Sequence, residues 1–298
     1  MSPTLPLQTQ ALSKSYAGRA VVRNVNLQVP PGSLYGLLGP NGAGKTTTLR
    51  CLLALSRPTS GACLIDGQDA RQPTARRQVA GMIDSPAFYP NLTARENLQV
   101  ASGLRGASTA DHAELLELVR LSDAARRPAR TYSLGMKQRL GIAMTLVGNP
   151  RSLILDEPQN GLDPQGMEEM RGLLVRLRER GHTVVVSSHL LGEVGRFATH
   201  LGVMRGGQLV FQGSLEEFRA GAGERLEVVC DRAQEAEKVL TEAGFTLTRL
   251  GDTLHLPPAA DQARVARALL AAGLNWQSLT RSGGRLEDRY FALTGVQA

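Results

Sequence analysis

The residues most able to do chemistry lie at Gly39-Pro40-Asn41-Gly42-Ala43-Gly44-Lys45-Thr46, which has the spacing G-x-x-x-x-G-K-[ST]. A triphosphate needs many backbone N–H donors aimed inward, and a Cβ at Gly39, Gly42 or Gly44 would hinder that approach. Lys45 is placed to reach the β and γ phosphates, and the Thr46 hydroxyl to ligate Mg²⁺. A helix opening at Lys45 adds its positive end. Residues Gly39 through Thr47 are therefore the expected nucleotide cradle. Further along, Leu153-Ile154-Leu155 ends on Asp156-Glu157, so an apolar strand delivers carboxylates where a doubly wound sheet meets a Mg-nucleotide. Ser133 and Gly135 open another helix, and Ser187-Ser188-His189 follows a β-branched run. A serine hydroxyl, a glycine N–H and a helix tip together can receive an anion. Ser133 also suits a plain N-cap.

These groups need a scaffold, and the apolar patterning supplies one. Leu7 to Val29 alternates about Ala17-Gly18 as a hairpin does, with Tyr16 just before the turn. That periodicity leaves Tyr16 both strand packing and ring stacking. Leu34 to Leu38 suits a buried strand leading into the glycine loop, and the helix after it continues through Leu49, Leu52 and Leu53. Ala62 to Ile65 with Asp66-Gly67 reads as strand and turn, and Val79 to Asp84 as another strand. Ser85 to Asn149 reads mainly helical: Thr93 and Glu96 form a capping box, Ser108 to Val119 has helical spacing, and a helix runs from Ser133 to Val147. Pro164 to Arg180 is expected as a helix with Glu168 and Glu169 in its first turn, followed by a strand at Thr183 to Val186 and a hairpin at Leu201 to Phe211. Ser214 and Glu217 cap a short helix. Ala220-Gly221-Ala222-Gly223 is the expected linker, dividing residues 1–220 from an accessory α+β domain at 221–298. There the order is strand (Leu226 to Val229), helix (Ala233 to Ala243), strand (Phe245 to Arg249), strand (Thr253 to Leu256), helix (Ala260 to Ala272), strand (Leu274 to Leu279), which is ferredoxin-like.

Composition narrows the classes. The 298 residues suffice for two domains, and 42% hydrophobic with 20% charged content is ordinary for a globular chain. No apolar run is long enough to span a bilayer, and the N-terminus lacks a basic stretch followed by an apolar core, which predicts a chain that stays in the cytosol. Three cysteines without C-x-x-C spacing suggest neither disulfides nor zinc. The net charge of +7 would suit nucleic acid or an anionic membrane surface, but it is carried by scattered residues, nearly all arginine, without interleaved aromatics, so it fits general arginine usage as well as a binding face, and direct nucleic-acid binding is not expected.

In this order, the glycine loop, the helix at Ser133, the carboxylates and His189 resemble the ATP-binding subunit of ABC transporters over residues 5 to 220. Tyr132-Ser-Leu-Gly-Met-Lys-Gln-Arg139 is similar to the family's signature motif: Ser133, Gly135, Gln138 and Arg139 match, while Tyr132, Leu134 and Met136 depart from it. The resemblance implies a P-loop α/β core of ABC type with an antiparallel β subdomain and a helical subdomain at about 85–150. It implies ATP and Mg²⁺ as cofactors, with Thr46 and Asp156 holding the metal, Lys45, Glu157 and His189 catalytic, Tyr16 stacked on adenine, and Asp163 sensing the opposite subunit. It also implies two such subunits sandwiching two ATPs, Ser133 and Gly135 meeting the γ-phosphate held by the other chain. A separate transmembrane permease follows, with this chain peripheral at the cytoplasmic face of the membrane and Phe88 to Asn97 as its docking segment. Where most members have a glutamine approaching Mg²⁺, this chain has Asp84, which adds a metal candidate and a negative charge. Phe88-Tyr89-Pro90-Asn91-Leu92-Thr93 resembles the bacitracin-resistance branch, which exports antimicrobial peptides or confers immunity to them. The expected function is thus ATP hydrolysis driving an exporter. The rival is a soluble ABC ATPase acting on nucleic acid, ribosomes or protein assembly, which tandem P-loops or a long coiled-coil insertion would favour. A nucleotide-gated scaffold without catalysis is the third reading, disfavoured by Lys45, Asp156, Glu157 and His189.

Overall fold

A computed structural model describes residues 4–221, 224–257, 259–283 and 286–295, in two units. One unit runs to Leu215 and resumes at Leu293; the other spans Glu216–Ala292.

The first unit begins with β1 (Leu7–Tyr16) and β2 (Arg19–Val25), an antiparallel hairpin closed by Ala17 and Gly18 at φ 46° and 80°. Positive φ at both turn residues matches the twist of the flanking strands. β3 (Gln28–Val29) pairs with β1; β4 (Leu34–Leu38) is the apolar run, buried at every position, and leads to α1 (Lys45–Leu52). β5 (Ser60–Ile65) and β6 (Gln68–Asp69) complete the antiparallel layer. Then follow α2 (Pro73–Arg77), β7 (Val79–Met82), α3 (Ala94–Arg105), α4 (His112–Leu118), α5 (Leu134–Leu146), β8 (Ser152–Asp156), α6 (Pro164–Glu179), β9 (Thr183–Ser188), α7 (Leu191–Val194), β10 (His200–Arg205) and β11 (Gln208–Ser214).

The second sheet has the order β11-β10-β4-β9-β8-β7 and is parallel except at β11. Its central strands are buried throughout, which explains why they read as continuous Val, Ile and Leu rather than alternating. Leu49, Cys51 and Leu52 of α1 join a core with Leu7, Leu12 and Ile65 of the antiparallel layer and Leu37, Ile154 and Val185 of the parallel one. Because β4, β9 and β8 are neighbours, the segments after them emerge side by side at their carboxyl ends, the usual place for a ligand in such a sheet. No helix among the described residues is long and apolar enough to cross a membrane.

The helical region is tied down by polar groups. Thr93 accepts from the Glu96 amide at 3.3 Å while the Glu96 carboxylate accepts from the Thr93 amide at 2.7 Å, so the capping box is complete. Asn97, wholly buried, accepts from the Tyr89 amide at 2.7 Å, and its own amide donates to the carbonyls of Tyr89, Leu92 and Thr93. One side chain thus sets the loop before α3. Asn97→Leu strands those groups and is expected to cost roughly 2–4 kcal/mol, read as a lower denaturant midpoint with ATP affinity retained.

The second unit comprises α8 (Leu215–Ala220) from Glu216 on, β12 (Glu224–Val229), α9 (Ala233–Glu242), β13 (Thr248–Leu250), β14 (Thr253–Leu256), α10 (Gln262–Ala271), β15 (Ser278–Gly283) and α11 (Leu286–Thr294) as far as Ala292. Its antiparallel sheet has the order β13-β14-β12-β15, the ferredoxin-like arrangement, with Leu226, Val228, Leu240, Leu254 and Leu269 in the core. The units part at Leu215/Glu216, so α8 goes with the second; of the expected linker, Ala222 and Gly223 lie outside the described residues.

Several local expectations need correction. The first turn of α6 contains no acid: Glu168 and Glu169 fall one turn later, and Asp163 at the N-cap supplies the negative charge. The short helices α2 and α7, and α11, arise where no element was expected. Phe245 and Leu274 are not strand residues. Each closes the helix before it, Phe245 N–H to Leu240 O and Leu274 N–H to Leu269 O at 3.0 Å, after Gly244 and Gly273 at positive φ.

Candidate active site

The glycine loop leaves β4 and ends on Gly44, the N-cap of α1, at φ 99°. Among the described residues no side chain caps this helix, so its first-turn N–H groups remain available to an anion. Two of the glycines are set by the fold itself: a Cβ on Gly39 would lie 2.5 Å from the Met204 carbonyl oxygen, and one on Gly44 would lie 3.0 Å from that of Val21. Around Gly42 there is open space, as close approach of a phosphate requires. Lys45 is 6% exposed; its Nζ donates to Gly39 O at 2.6 Å and lies 3.4 Å from Glu157 Oε1.

Thr46 Oγ1 donates to Asp156 Oδ2 at 2.8 Å, and Ser187 Oγ donates to Asp156 Oδ1 at 2.5 Å. Ser187 also accepts from the Glu157 amide at 2.9 Å, which holds Glu157 at φ 46°, a conformation few non-glycine residues adopt. That turn aims the Glu157 carboxylate between Lys45 and His189, whose Nδ1 is 3.0 Å from Oε2. Sequence reasoning missed Ser187. Its signal was the first letter of Ser-Ser-His, in register with Asp156 across β8 and β9.

Gly39, Lys45, Thr46, Asp156, Glu157 and His189 therefore form one continuous bonded group. Asp84 is bonded elsewhere: at φ 63° its carboxylate pairs with Arg50 on α1, another residue the sequence did not single out. Among the described residues no three His, Cys, Asp or Glu side chains converge as a metal site. Tyr16 is 45% exposed, its hydroxyl 3.2 Å from Ser56 Oγ and Lys14 Nζ 4.7 Å from its ring centre, so core packing is not its role.

Ser133 and Asp163 lie in a different place. Ser133 caps α5, accepting from the Met136 amide at 3.3 Å, and Asp163 caps α6, accepting from the Gly166 amide at 2.8 Å. With Gly135, Gly161 and Leu162 they line an open cleft of about 440 Å³, to which no residue of the glycine loop contributes. Arg139 anchors that tip, donating to the carbonyls of Val119 and Arg120 and facing Glu169 at 3.5 Å.

A glycine loop and uncapped helix on a parallel sheet, with strand-end carboxylates beside them, define a P-loop nucleoside triphosphatase. The model of the ABC transporter family matches residues 22–160. An uncharacterized ABC transporter ATP-binding protein, YcbN of Bacillus subtilis, is 39% identical, with 97% of each chain covered. The bacitracin transport ATP-binding protein BcrA of Enterococcus faecalis is 42% identical over 81% of this chain and 80% of that one. A solved ATP-binding subunit of an ABC transporter superposes with TM-score 0.66 and 31% identity, covering 73% of this chain and 93% of its own. The chain belongs to the ABC transporter ATP-binding proteins, and it is the ATP-hydrolysing subunit of such a transporter.

Proposed function

We propose that two copies of this chain close over two Mg-ATPs and thereby drive an exporter whose membrane-spanning permease is a separate chain. The observation that carries the pairing is the Ser133–Asp163 cleft. It joins the α5 helix tip and Gly135 to Arg139 without any residue of this chain's own phosphate loop, which supports a phosphate arriving from a second copy. Export is supported by the likeness to a bacitracin transport protein, and the peripheral, cytoplasmic-face location by the family and the absence of a spanning helix among the described residues.

The donor set suits Mg²⁺ on a nucleotide: Thr46 and Asp156 offer hard oxygens already bonded to one another, and hard oxygen is what this ion takes, with phosphate supplying other positions. Bound there, Mg²⁺ would neutralise charge on the phosphates. Lys45 grips the β and γ phosphates, Gly39 through Thr47 supply amides, Glu157 accepts the attacking water's proton, and His189 holds Glu157 and the γ-phosphate. Tyr16 stacks on adenine, and Asp163 places the loop facing the other copy.

To serve the metal, Asp84 would have to give up its pair with Arg50. Arg50→Gln should therefore lower the Mg²⁺ concentration for half-maximal hydrolysis by about twofold, the scale of an exposed ion pair, and Asp84→Asn should raise it. A Mg²⁺ titration that moves with neither variant assigns Asp84 to the ion pair alone.

Closure does work only if the permease binds the open and closed states differently. The segment Phe88 to Asn97, with Tyr89 54% exposed, is the proposed dock. Phe88→Ser with Tyr89→Ser is expected to release the chain from membranes that contain the permease while ATP binding persists. Intact co-purification of that double variant with the permease would refute the dock, and membrane association that never depends on a permease would favour the soluble rival.

A further inference from the structure

We propose that the corner of the helical region bearing Arg95, Arg126, Arg127 and Arg130 is a docking surface for anionic phospholipid headgroups. These residues come from two stretches that the backbone ties together. The Ala129 amide donates to Leu92 O at 2.8 Å and the Arg130 amide to Pro90 O at 2.7 Å, Thr93 bridges to Pro128, and the Arg95 amide reaches Ala125 O at 3.4 Å. All four side chains are exposed.

Many other arginines of the chain sit against carboxylates: Arg50 on Asp84, Arg71 on Asp69, Arg151 on Asp66, Arg180 on Glu114. Among the described residues none of these four does; Arg127 has a long 3.5 Å contact to the Thr131 hydroxyl. The carboxylates nearest in sequence are Glu96, engaged by Thr93, and Asp123, so the corner stays net positive. Four arginines against these two carboxylates leave a local excess of positive charge here.

The guanidinium fork matches a phosphate diester in two hydrogen bonds, and a negatively charged leaflet attracts clustered arginines. All four lie on exposed surface, open to a plane of headgroups. Exposed Tyr89 adjoins Pro90 on the same loop, an aromatic with a polar tip of the kind found at membrane interfaces. The inference rests on the dock assigned above to Phe88–Asn97, since a chain held there presents its neighbouring arginines to the bilayer around the permease.

The test uses the full chain with vesicles of phosphatidylcholine, with and without phosphatidylglycerol, at low salt. Wild type should sediment with the anionic vesicles alone, and each arginine exchanged for glutamine should weaken that binding about fivefold. The double variant R126Q/R127Q is compared with R76Q/R77Q, an equal charge change at exposed positions of α2, with melting midpoints confirming that both fold. Loss confined to R126Q/R127Q supports the site. Equal loss in both pairs, or no dependence on phosphatidylglycerol, overturns it. So does a third result, in which wild type ignores vesicles but R126Q/R127Q loses the permease, because the corner then takes an acidic protein segment. Vesicle binding that holds while the Phe88/Tyr89 serine variant keeps its permease would remove the dock and leave the lipid site standing.

Discussion

Glu157→Gln should hold Mg-ATP and scarcely turn it over, with steady-state hydrolysis lowered about 10²–10⁴-fold, the usual worth of a positioned base. The variant preserves shape, so Ser187 can still fix the turn at φ 46° and Lys45 can still reach Gly39 O. What it removes is the proposed proton acceptor, whose two oxygens now lie 3.4 Å from Lys45 Nζ and 3.0 Å from His189 Nδ1. Deleting that negative charge beside the phosphates should leave nucleotide affinity equal or tighter. ATP-bound chains then accumulate as pairs, seen as a doubling of mass by light scattering when ATP is added. An unchanged kcat would take the base away from Glu157. A raised Kd for ATP at unchanged kcat would make it a binding residue instead.

The parts of this site that could be read from the sequence are those where chemistry restricts residue type over a short stretch. Gly39 to Thr46 is such a stretch, and so are Leu153 to Glu157 and Thr93 to Glu96. Each is local, and the fold realises each in place. The reason for a glycine was less legible: at position 39 it is the Met204 carbonyl, from a strand far away in sequence, that leaves no room for a Cβ. Ser187 and Arg50 were missed for the same cause, because their partners Asp156 and Asp84 lie 31 and 34 residues away and only strand order brings them together. Asn97 is a single polar letter in a helical pattern, and nothing local says that it satisfies a loop. The errors at Phe245 and Leu274 share one origin. An apolar residue just after a glycine looks like the first residue of a strand, yet here it packs back as the last contact of a helix.

The Ser133→Asp variant separates the two roles the sequence left open for that residue. Aspartate is as good an N-cap as serine, so α5 and the fold should be retained. The side chain that caps the helix would, however, now carry a negative charge in the cleft shared with Gly135 and Asp163. If that cleft receives the γ-phosphate of a second copy, like charges meet at the moment of closure. The expected result is a chain that binds ATP as wild type does, remains monomeric when the Glu157→Gln change is added, and hydrolyses about 10²–10³-fold more slowly, the cost of losing a preorganised anion donor. Ser133→Ala makes the opposite trade: it loses the cap, at about 1 kcal/mol of stability, but adds no charge and keeps the Gly135 amide, so pairing should survive. An aspartate variant that pairs and turns over normally would reduce Ser133 to a helix cap and leave the paired arrangement without its second phosphate contact. Mixing Ser133→Asp with Lys45→Ala sharpens the test, because a mixed pair retains one intact site, built from the Lys45 of the aspartate chain and the Ser133 of the alanine chain. Hydrolysis in the mixture above that of either variant alone is the signature of a site completed across two chains, and additive loss would deny it.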